Sequence, residues 1–241
     1  KAGYAFRLAD LKTSTSAVGK HLISKGAKRI GAIVATDNPS FPTLAAATLD
    51  GLGVSYVSTQ NVTTKDSNFS AVITNLKSAN IDALVLSVLP EQAGNIIQQM
   101  NAVGMQNVML AGTLATSPQT FTIAGKAATS MVFPQAWAPG GGRSAAFEAA
   151  YKQKFNSVPT AYSGVGYQVA WLIAASALEV EKAGKPITGE NLKAAIPAAS
   201  TGDLIKKYGI MELALTPSGD AISPGTISRF ADNGDIVGVG N

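Results

Sequence analysis

The apolar positions in the first 130 residues alternate between short continuous runs and longer amphipathic stretches. Apolar or β-rich runs cover residues 29–35, 54–62, 83–88 and 108–110. Continuous apolar runs of this length are typical of strands that are buried on both faces of a parallel sheet. Apolar residues at helical spacing lie between them, at residues 45–52, 69–79, 91–103 and 120–124. The alternation predicts an α/β fold with a Rossmann-like, mainly parallel sheet and right-handed crossovers.

The ends of two predicted helices carry recognisable signals. Pro90 stands where a proline is favoured at the first helical position, and Glu91 lies near the positive end of the helix dipole. Gly53 and Gly104 follow the last periodic residues, where a helix commonly ends in a left-handed residue.

The pattern changes after residue 131. Residues 131–137 predict an isolated strand, and residues 139–142 predict a flexible link. Two helices follow, at residues 144–155 and 162–182, with no companion strands between them.

The last 40 residues predict short β segments. Turn signals lie at residues 217–220 and 232–235, so a pair of strands at the edge of a sheet is expected. We therefore predict one α/β lobe formed by residues 1–131 and 202–241, and an incomplete second lobe formed by residues 132–201.

The helix predicted at residues 166–177 is apolar on nearly every face. An apolar patch of this size is seldom left in water. We expect Val169, Leu172 and Ile173 to be covered by another segment, such as an N-terminal segment, or by self-association.

Composition narrows the class of protein. The 241 residues are 46% hydrophobic and 14% charged, which suits one large globular domain or two small lobes. The absence of cysteine excludes disulfides, thiolate nucleophiles and cysteine metal sites. The net charge of +4 is not gathered in one basic block, so no nucleic-acid partner is expected.

Three features could suggest an enzyme, and each has a simpler interpretation. His21 has no acid at helical spacing, so a solvated helix position is favoured over catalysis. The pair Gly164 and Gly166 lacks the third glycine and the preceding strand of a dinucleotide loop. Residues 140–143 could bind an anion at exposed amides, but a hinge is favoured. No catalytic residue, cofactor or metal site is expected.

Residues 68–77 and 80–86 show the clearest resemblance to a known protein family. These two segments resemble the "DFS, helix, lysine, acid, apolar strand" signature of the branched-chain amino acid (Leu/Ile/Val) type of periplasmic substrate-binding protein of ABC transporters. Further segments fall in the order and spacing of that family, at residues 4–7, 125–132, 147–159 and 166–179.

The resemblance implies a type I periplasmic-binding fold, in which two Rossmann-like lobes joined by hinge strands close around a small ligand. It implies an extracytoplasmic protein that binds an amino acid-like or carboxylate ligand and delivers it to an ABC permease in the membrane. On this mapping the chain begins about one third of the way into the usual protein and lacks most of the first lobe. A ligand-sensing domain of a regulator stays open as the alternative, because fold does not fix function.

Fold geometry and the resemblance select the same candidate site. Open parallel sheets bind ligands beyond the carboxyl ends of their strands, which here means the loops 36–42, 89–92 and 112–117. Two tyrosines and an ammonium-binding carboxylate of the amino acid receptors correspond to neutral or apolar residues here. The predicted ligand-binding residues are Asp37, Ser40, Phe41, Val88, Leu89, Thr113 and Trp137.

The missing carboxylate affects the expected ligand. Thr113 stands where the resemblance places the acid that pairs with the ligand ammonium, and burying an unpaired ammonium is costly. An α-amino acid is therefore not the expected ligand unless Asp37 supplies the carboxylate from another direction. Trp137 either stacks on the ligand near the hinge or packs between lobes.

Overall fold

A computed structural model describes residues 5–8, 11–114, 117–140, 142–222 and 225–239. The strands are β1 (Ile30–Ala35), β2 (Ser58–Val62), β3 (Ala83–Ser87), β4 (Met109–Gly112), β5 (Met131–Gln135), β6 (Thr226–Phe230) and β7 (Ile236–Gly238). The helices are α1 (Leu11–Ser24), α2 (Ser40–Leu52), α3 (Ser70–Ser78), α4 (Pro90–Ala102), α5 (Pro118–Ala124), α6 (Ala145–Phe155), α7 (Ala161–Lys182), α8 (Gly189–Ala199) and α9 (Asp203–Tyr208). Tyr4, Gly141 and residues 115–116 of the predicted segments lie outside the described residues.

The strands form one sheet in the order β2-β1-β3-β4-β5-β6-β7. Neighbouring strands among β1 to β5 are parallel, whereas β6 is antiparallel to both β5 and β7. The prediction of an α/β fold with a mainly parallel sheet is confirmed.

The central strands are buried on both faces, as their continuous apolar sequences predict. Every residue of β1 and of β3 is buried. Side chains of α3 and α4, among them Ile73, Leu76 and Ile96, belong to the same core. The core therefore lies where the crossover helices cover the parallel strands.

The predicted helix ends at Gly53 and Gly104 are confirmed. Gly53 has φ of 66° and donates its N–H to the carbonyl of Leu49, and Gly104 has φ of 79° and donates to Asn101. The start of α2 was predicted five residues too late. Buried Phe41 and Leu44 extend the apolar face of α2, so the helix begins at Ser40.

The strand predicted in isolation at residues 131–137 is part of the main sheet, which is a correction. β5 pairs with β4 through Leu110 and Met131, and with β6 through Phe133 and Ser228. The predicted strand pair at the end of the chain is confirmed, because β6 and β7 are antiparallel at the edge of the sheet.

Contacts divide the chain into two compact units. Unit 1 comprises residues 1–10 and 136–225, and unit 2 comprises residues 11–135 and 226–241. The predicted lobes were residues 1–131 with 202–241, and residues 132–201. The observed grouping differs from this prediction for residues 1–10, 132–135 and 202–225. The reason is visible in unit 1, where Arg7 pairs with Gly219 and Ala221 through backbone hydrogen bonds. The assignment of the units to two family lobes stays a prediction.

Unit 1 is mainly helical in the described residues. Residues 203–208 form α9 rather than the predicted β segment, because Ile205 enters a core with Leu172 of α7 and Leu213. A second cluster contains Trp137, Ile210 and Met211.

The apolar helix α7 is only partly covered within the described residues. Leu172 is 3% exposed and fills the core, whereas Ile173 is 53% exposed and Tyr162 is 74% exposed. The prediction that Ile173 is covered by another segment or copy stays a prediction.

Helices α1 and α2 of unit 2 approach each other closely at two glycines. A Cβ on Gly51 would lie 1.8 Å from the carbonyl oxygen of Ser16, and a Cβ on Gly19 would lie 2.4 Å from that of Thr48. By contrast, a Cβ on Gly166 of α7 would meet no atom within 4 Å.

We predict that Gly51→Ala lowers the free energy of unfolding by about 1–3 kcal/mol, because the methyl group overpacks the contact between α1 and α2. The matched change Gly166→Ala should raise it by about 0.5–1 kcal/mol, since alanine is favoured over glycine in an open helix position. Urea unfolding followed by circular dichroism measures both. Equal effects of the two substitutions would contradict the close packing of α1 on α2.

Candidate ligand-binding site

The carboxyl ends of β1, β3 and β4 lie at one edge of the sheet, because these strands are parallel neighbours. Asp37 follows β1, Leu89 follows β3 and Thr113 follows β4. Helices α2 and α4 begin at this same edge, at Ser40 and Pro90. The predicted site residues of unit 2 therefore lie along one edge.

The Asp37 carboxylate is hydrogen-bonded to the loop after β2. It accepts hydrogen bonds from the Thr64 backbone N–H at 2.9 Å and from the Thr64 hydroxyl at 2.6 Å. The Thr64 hydroxyl is the main reason that the pKa of the Asp37 carboxyl lies below its usual value. Asp37 is thus an exposed carboxylate with its main hydrogen bonds already made.

Gln92 holds the same loop from the other side. This glutamine is buried in the first turn of α4, and its amide nitrogen donates to the carbonyls of Thr63 at 2.8 Å and Asp66 at 2.9 Å. Its amide oxygen accepts from the Leu89 N–H at 3.3 Å. The loop after β2 is therefore fixed by Asp37 and Gln92 together.

A chain of buried hydroxyls lies beneath the edge. The Ser87 hydroxyl donates to the Phe41 carbonyl at 2.7 Å and lies 2.7 Å from the Thr113 hydroxyl. The Thr15 hydroxyl donates to the Thr113 carbonyl at 3.1 Å. These bonds join the ends of β3 and β4 to the first turn of α2 and to α1.

The structure separates the predicted site residues into two groups. Asp37, Ser40 and Leu89 are exposed at the edge. Phe41, Val88 and Thr113 are buried under it, with Thr113 fully covered. A ligand could contact Thr113 directly only if the surrounding residues moved apart. The Thr113 hydroxyl is therefore better placed to support the edge.

Trp137 belongs to unit 1 and is 6% exposed. Its ring fills the space where a Cβ on Gly164 would lie, and it meets Phe147 edge-on with ring centroids 5.7 Å apart. These contacts make Trp137 a packing residue of its unit, and its contact with a ligand stays a prediction.

Sequence reasoning missed Ser87, and it included Gln92 only as part of the loop 89–92, without a role. Ser87 is a polar side chain within an apolar strand, and Gln92 lies in the first turn of α4. A buried polar residue at the end of a buried strand is the signal that could have found Ser87.

The described residues offer little for catalysis or metal binding at this edge. No cluster of three potential metal ligands occurs among them. His21 lies on α1, and partial burial, with the charge of Lys25, lowers its pKa. None of the helices in the described part of the chain has the length and apolar character needed to cross a bilayer.

The residues that carried the family resemblance have structural partners. The Asp82 carboxylate accepts from the backbone N–H groups of Lys28 and Arg29 at 2.9–3.0 Å, at the amino end of β3. The Lys77 ammonium donates to the Val103 carbonyl at 2.6 Å. The side chain of Asn68 accepts from the Ser70 N–H at the start of α3.

The chain is similar to known binding proteins over most of its length. It is 28% identical over 189 residues to Leu/Ile/Val-binding protein homolog 3 of Brucella melitensis, which covers 78% of this chain and 49% of that protein. A leucine-binding protein, LivK, from Thermotoga maritima has the same fold with a TM-score of 0.79 and 19% identity. That match covers 96% of this chain and 65% of the other.

A solute-binding protein of an R. palustris ABC transporter, solved in complex with benzoate, has a TM-score of 0.77 and 15% identity. The match covers 97% of this chain and 63% of that chain. The chain thus spans about half the length of the curated relative and about two thirds of the solved structures. The family of periplasmic binding proteins matches residues 1–234. Because this match covers most of the chain, the chain belongs to the periplasmic binding protein family.

Proposed function

We propose that this chain is the ligand-binding part of an extracytoplasmic solute-binding component of an ABC importer. It binds a small carboxylate or amino acid-like molecule and passes it to an ABC permease in the membrane. The family membership of residues 1–234 supports this function. Binding without turnover is proposed, because the family consists of binding proteins.

The carboxyl edge of the parallel sheet is the observation that carries the proposal. Helices α2 and α4, each 13 residues long, begin at this edge. The positive ends of their dipoles favour a negatively charged group there. A ligand carboxylate fits this setting.

The same edge is poorly suited to a ligand ammonium. The positions after β3 and β4 hold Val88, Leu89 and Thr113, and none of these can neutralise a cation. The carboxylate that follows β1, that of Asp37, is already bonded to Thr64. We therefore propose a carboxylate without an α-ammonium as the ligand.

The edge is also preorganised. Asp37 and Gln92 fix the loop after β2, and Ser87 ties β3 to the first turn of α2. A rigid edge loses less conformational entropy when the ligand binds, so more of the contact energy appears as affinity.

We predict that the chain binds benzoate at least about tenfold more tightly than L-leucine, because leucine adds an ammonium that would stay unpaired. Isothermal titration calorimetry with both compounds measures the difference. Failure to bind either compound would overturn the proposed function, and tighter leucine binding would overturn the proposed ligand class.

A pair of variants at the two ends of α4 locates the site. Leu89→Glu places a carboxylate at the proposed edge and should weaken benzoate binding at least about tenfold by charge repulsion. Val103→Glu adds the same charge at an equally exposed apolar residue after the other end of α4 and should leave binding unchanged. Equal losses in the two variants would place the site elsewhere.

A further prediction concerns pH and Asp37. Folding lowers the pKa of this carboxyl below its ordinary value of 3.8. The ionised carboxylate therefore stabilises the folded protein above pH 3.8, and this contribution is lost as the pH falls through the lower pKa of the folded state. Asp37→Asn should therefore lower the urea midpoint at pH 7, and the difference from the natural protein should shrink below about pH 4.

The matched control is Asp50→Asn, at an exposed aspartate of α2 with no side-chain hydrogen bond among the described residues. It should leave the midpoint nearly unchanged at pH 7. A loss of stability for Asp37→Asn that is the same at pH 7 and at pH 3 would show that the carboxylate charge does not hold the loop.

A further inference from the structure

We infer that a cavity at the amino end of the sheet in unit 2 is a second ligand site, and that it binds a small aromatic carboxylate. This inference goes beyond the proposed function, because the cavity lies at the opposite edge of the sheet from the carboxyl ends of the strands.

The cavity lies between α4 and the 3-10 helix at Gly125–Ser130. Ile97 and Met100 line it from the last turns of α4, and Leu110 lines it from the start of β4. The 3-10 helix leads directly into β5. The amino ends of β4 and β5 are therefore next to the cavity, and all of its lining residues belong to unit 2.

The cavity is open and of a size that suits a small molecule. Its volume is about 230 Å³, and the lining residues Asn101, Gln106, Lys126 and Ser130 are exposed, so a ligand can enter from solvent. An apolar cavity of about 150 Å³ holds benzene, whereas pockets for drug-sized ligands begin at about 300 Å³. The volume therefore fits one aromatic ring with a short polar arm.

The floor of the cavity favours an aromatic ring. Ile97 and Met100 are each 2% exposed, Leu110 is 5% exposed and Met105 is 7% exposed, and all four belong to the main core. Two of the four are methionines, whose thioether sulfur makes favourable contacts with aromatic rings. The apolar floor is thus built from well-packed side chains with polarisable groups among them.

The rim of the cavity favours a carboxylate. The Lys126 ammonium forms no ion pair or side-chain hydrogen bond with the described residues, and none of the lining residues is acidic. The hydroxyls of Thr129 and Ser130 donate to the carbonyls of Lys126 and Ala127, at 2.8 Å and 3.2 Å. Their hydrogens are therefore in use, and Lys126 is the charged group that can pair with an anion.

The shape of the apolar surface favours a small molecule over a protein partner. None of the lining residues is among the exposed large hydrophobic side chains of the described part of the chain. A stable protein interface buries about 800 Å² on each partner and usually has an apolar centre on the surface. Here the apolar residues lie at the bottom of a cavity with a polar rim.

3-Phenylpropionate tests the inference, with methionine methyl groups as reporters of position. The chain has five methionines, of which Met100 and Met105 line the cavity and Met211 lies in unit 1. In the natural protein with ¹³C-labelled methionine methyl groups, titration to about 10 mM should shift the Met100 and Met105 signals until they saturate. The Met211 signal should stay in place.

A matched pair of variants tests the role of the charge. Lys126→Gln should weaken the binding of 3-phenylpropionate about threefold, the size of effect expected for an exposed ion pair, and should leave the binding of the neutral 3-phenylpropionamide unchanged. Lys20→Gln removes the same charge from an exposed lysine of α1 in the same unit. It should leave the binding of both compounds unchanged.

Leu89→Glu separates this site from the carboxyl edge. It changes the edge after β3 and should leave the shifts of Met100 and Met105 as they are in the natural protein. Shifts that disappear in Leu89→Glu overturn the inference, as do Met100 and Met105 signals that do not move. Equal binding of 3-phenylpropionate by the natural protein and Lys126→Gln overturns the assigned ligand class. Failure of benzoate to bind at the carboxyl edge overturns the proposed function alone, because the methionine signals report on this cavity independently.

Discussion

The burial of β1 and β3 on both faces is the constraint on which the rest of the structure depends. Strands without a polar face cannot lie at an edge or against water, so they must have a neighbour on each side and a helical layer on each face. Parallel strands also need crossover helices, and these return every strand to the same starting edge. The carboxyl ends of β1, β3 and β4 therefore meet at one edge, with the first turns of α2 and α4 beside them.

Neutral groups, rather than charges, support this edge. The buried polar contacts come from the hydroxyls of Thr15, Ser87 and Thr113 and from the amide of Gln92. Neutral hydrogen bonds can be buried at modest cost when both partners are satisfied, whereas a buried charge needs a partner of opposite sign. This explains why Asp37, the charged member, stays exposed and directs its carboxylate to Thr64.

The motif that carries the family resemblance is structural. Asp82 accepts from backbone N–H groups that precede β1, and Lys77 closes the end of α4 through the Val103 carbonyl. Phe69 is 1% exposed and belongs to the main core. These residues fix how α3, α4 and β3 fit together, away from the carboxyl edge. Such a motif identifies the fold reliably and carries little information about the ligand.

The sequence by itself determined the parallel sheet, the helices between its strands and two helix ends at glycine, because apolar periodicity and backbone preference act over a few residues. It also selected the loops at the carboxyl edge, because that edge follows from the strand order.

Only the tertiary structure decided which residues of those loops are exposed. Ser87 and Phe41 are 46 residues apart, and Thr15 and Thr113 are 98 apart, so no local pattern predicts their hydrogen bonds. For the same reason the sequence pattern predicted β5 as an isolated strand and predicted β structure where α9 forms. The partners of β5 and the core that buries Ile205 are brought together only by packing across the chain.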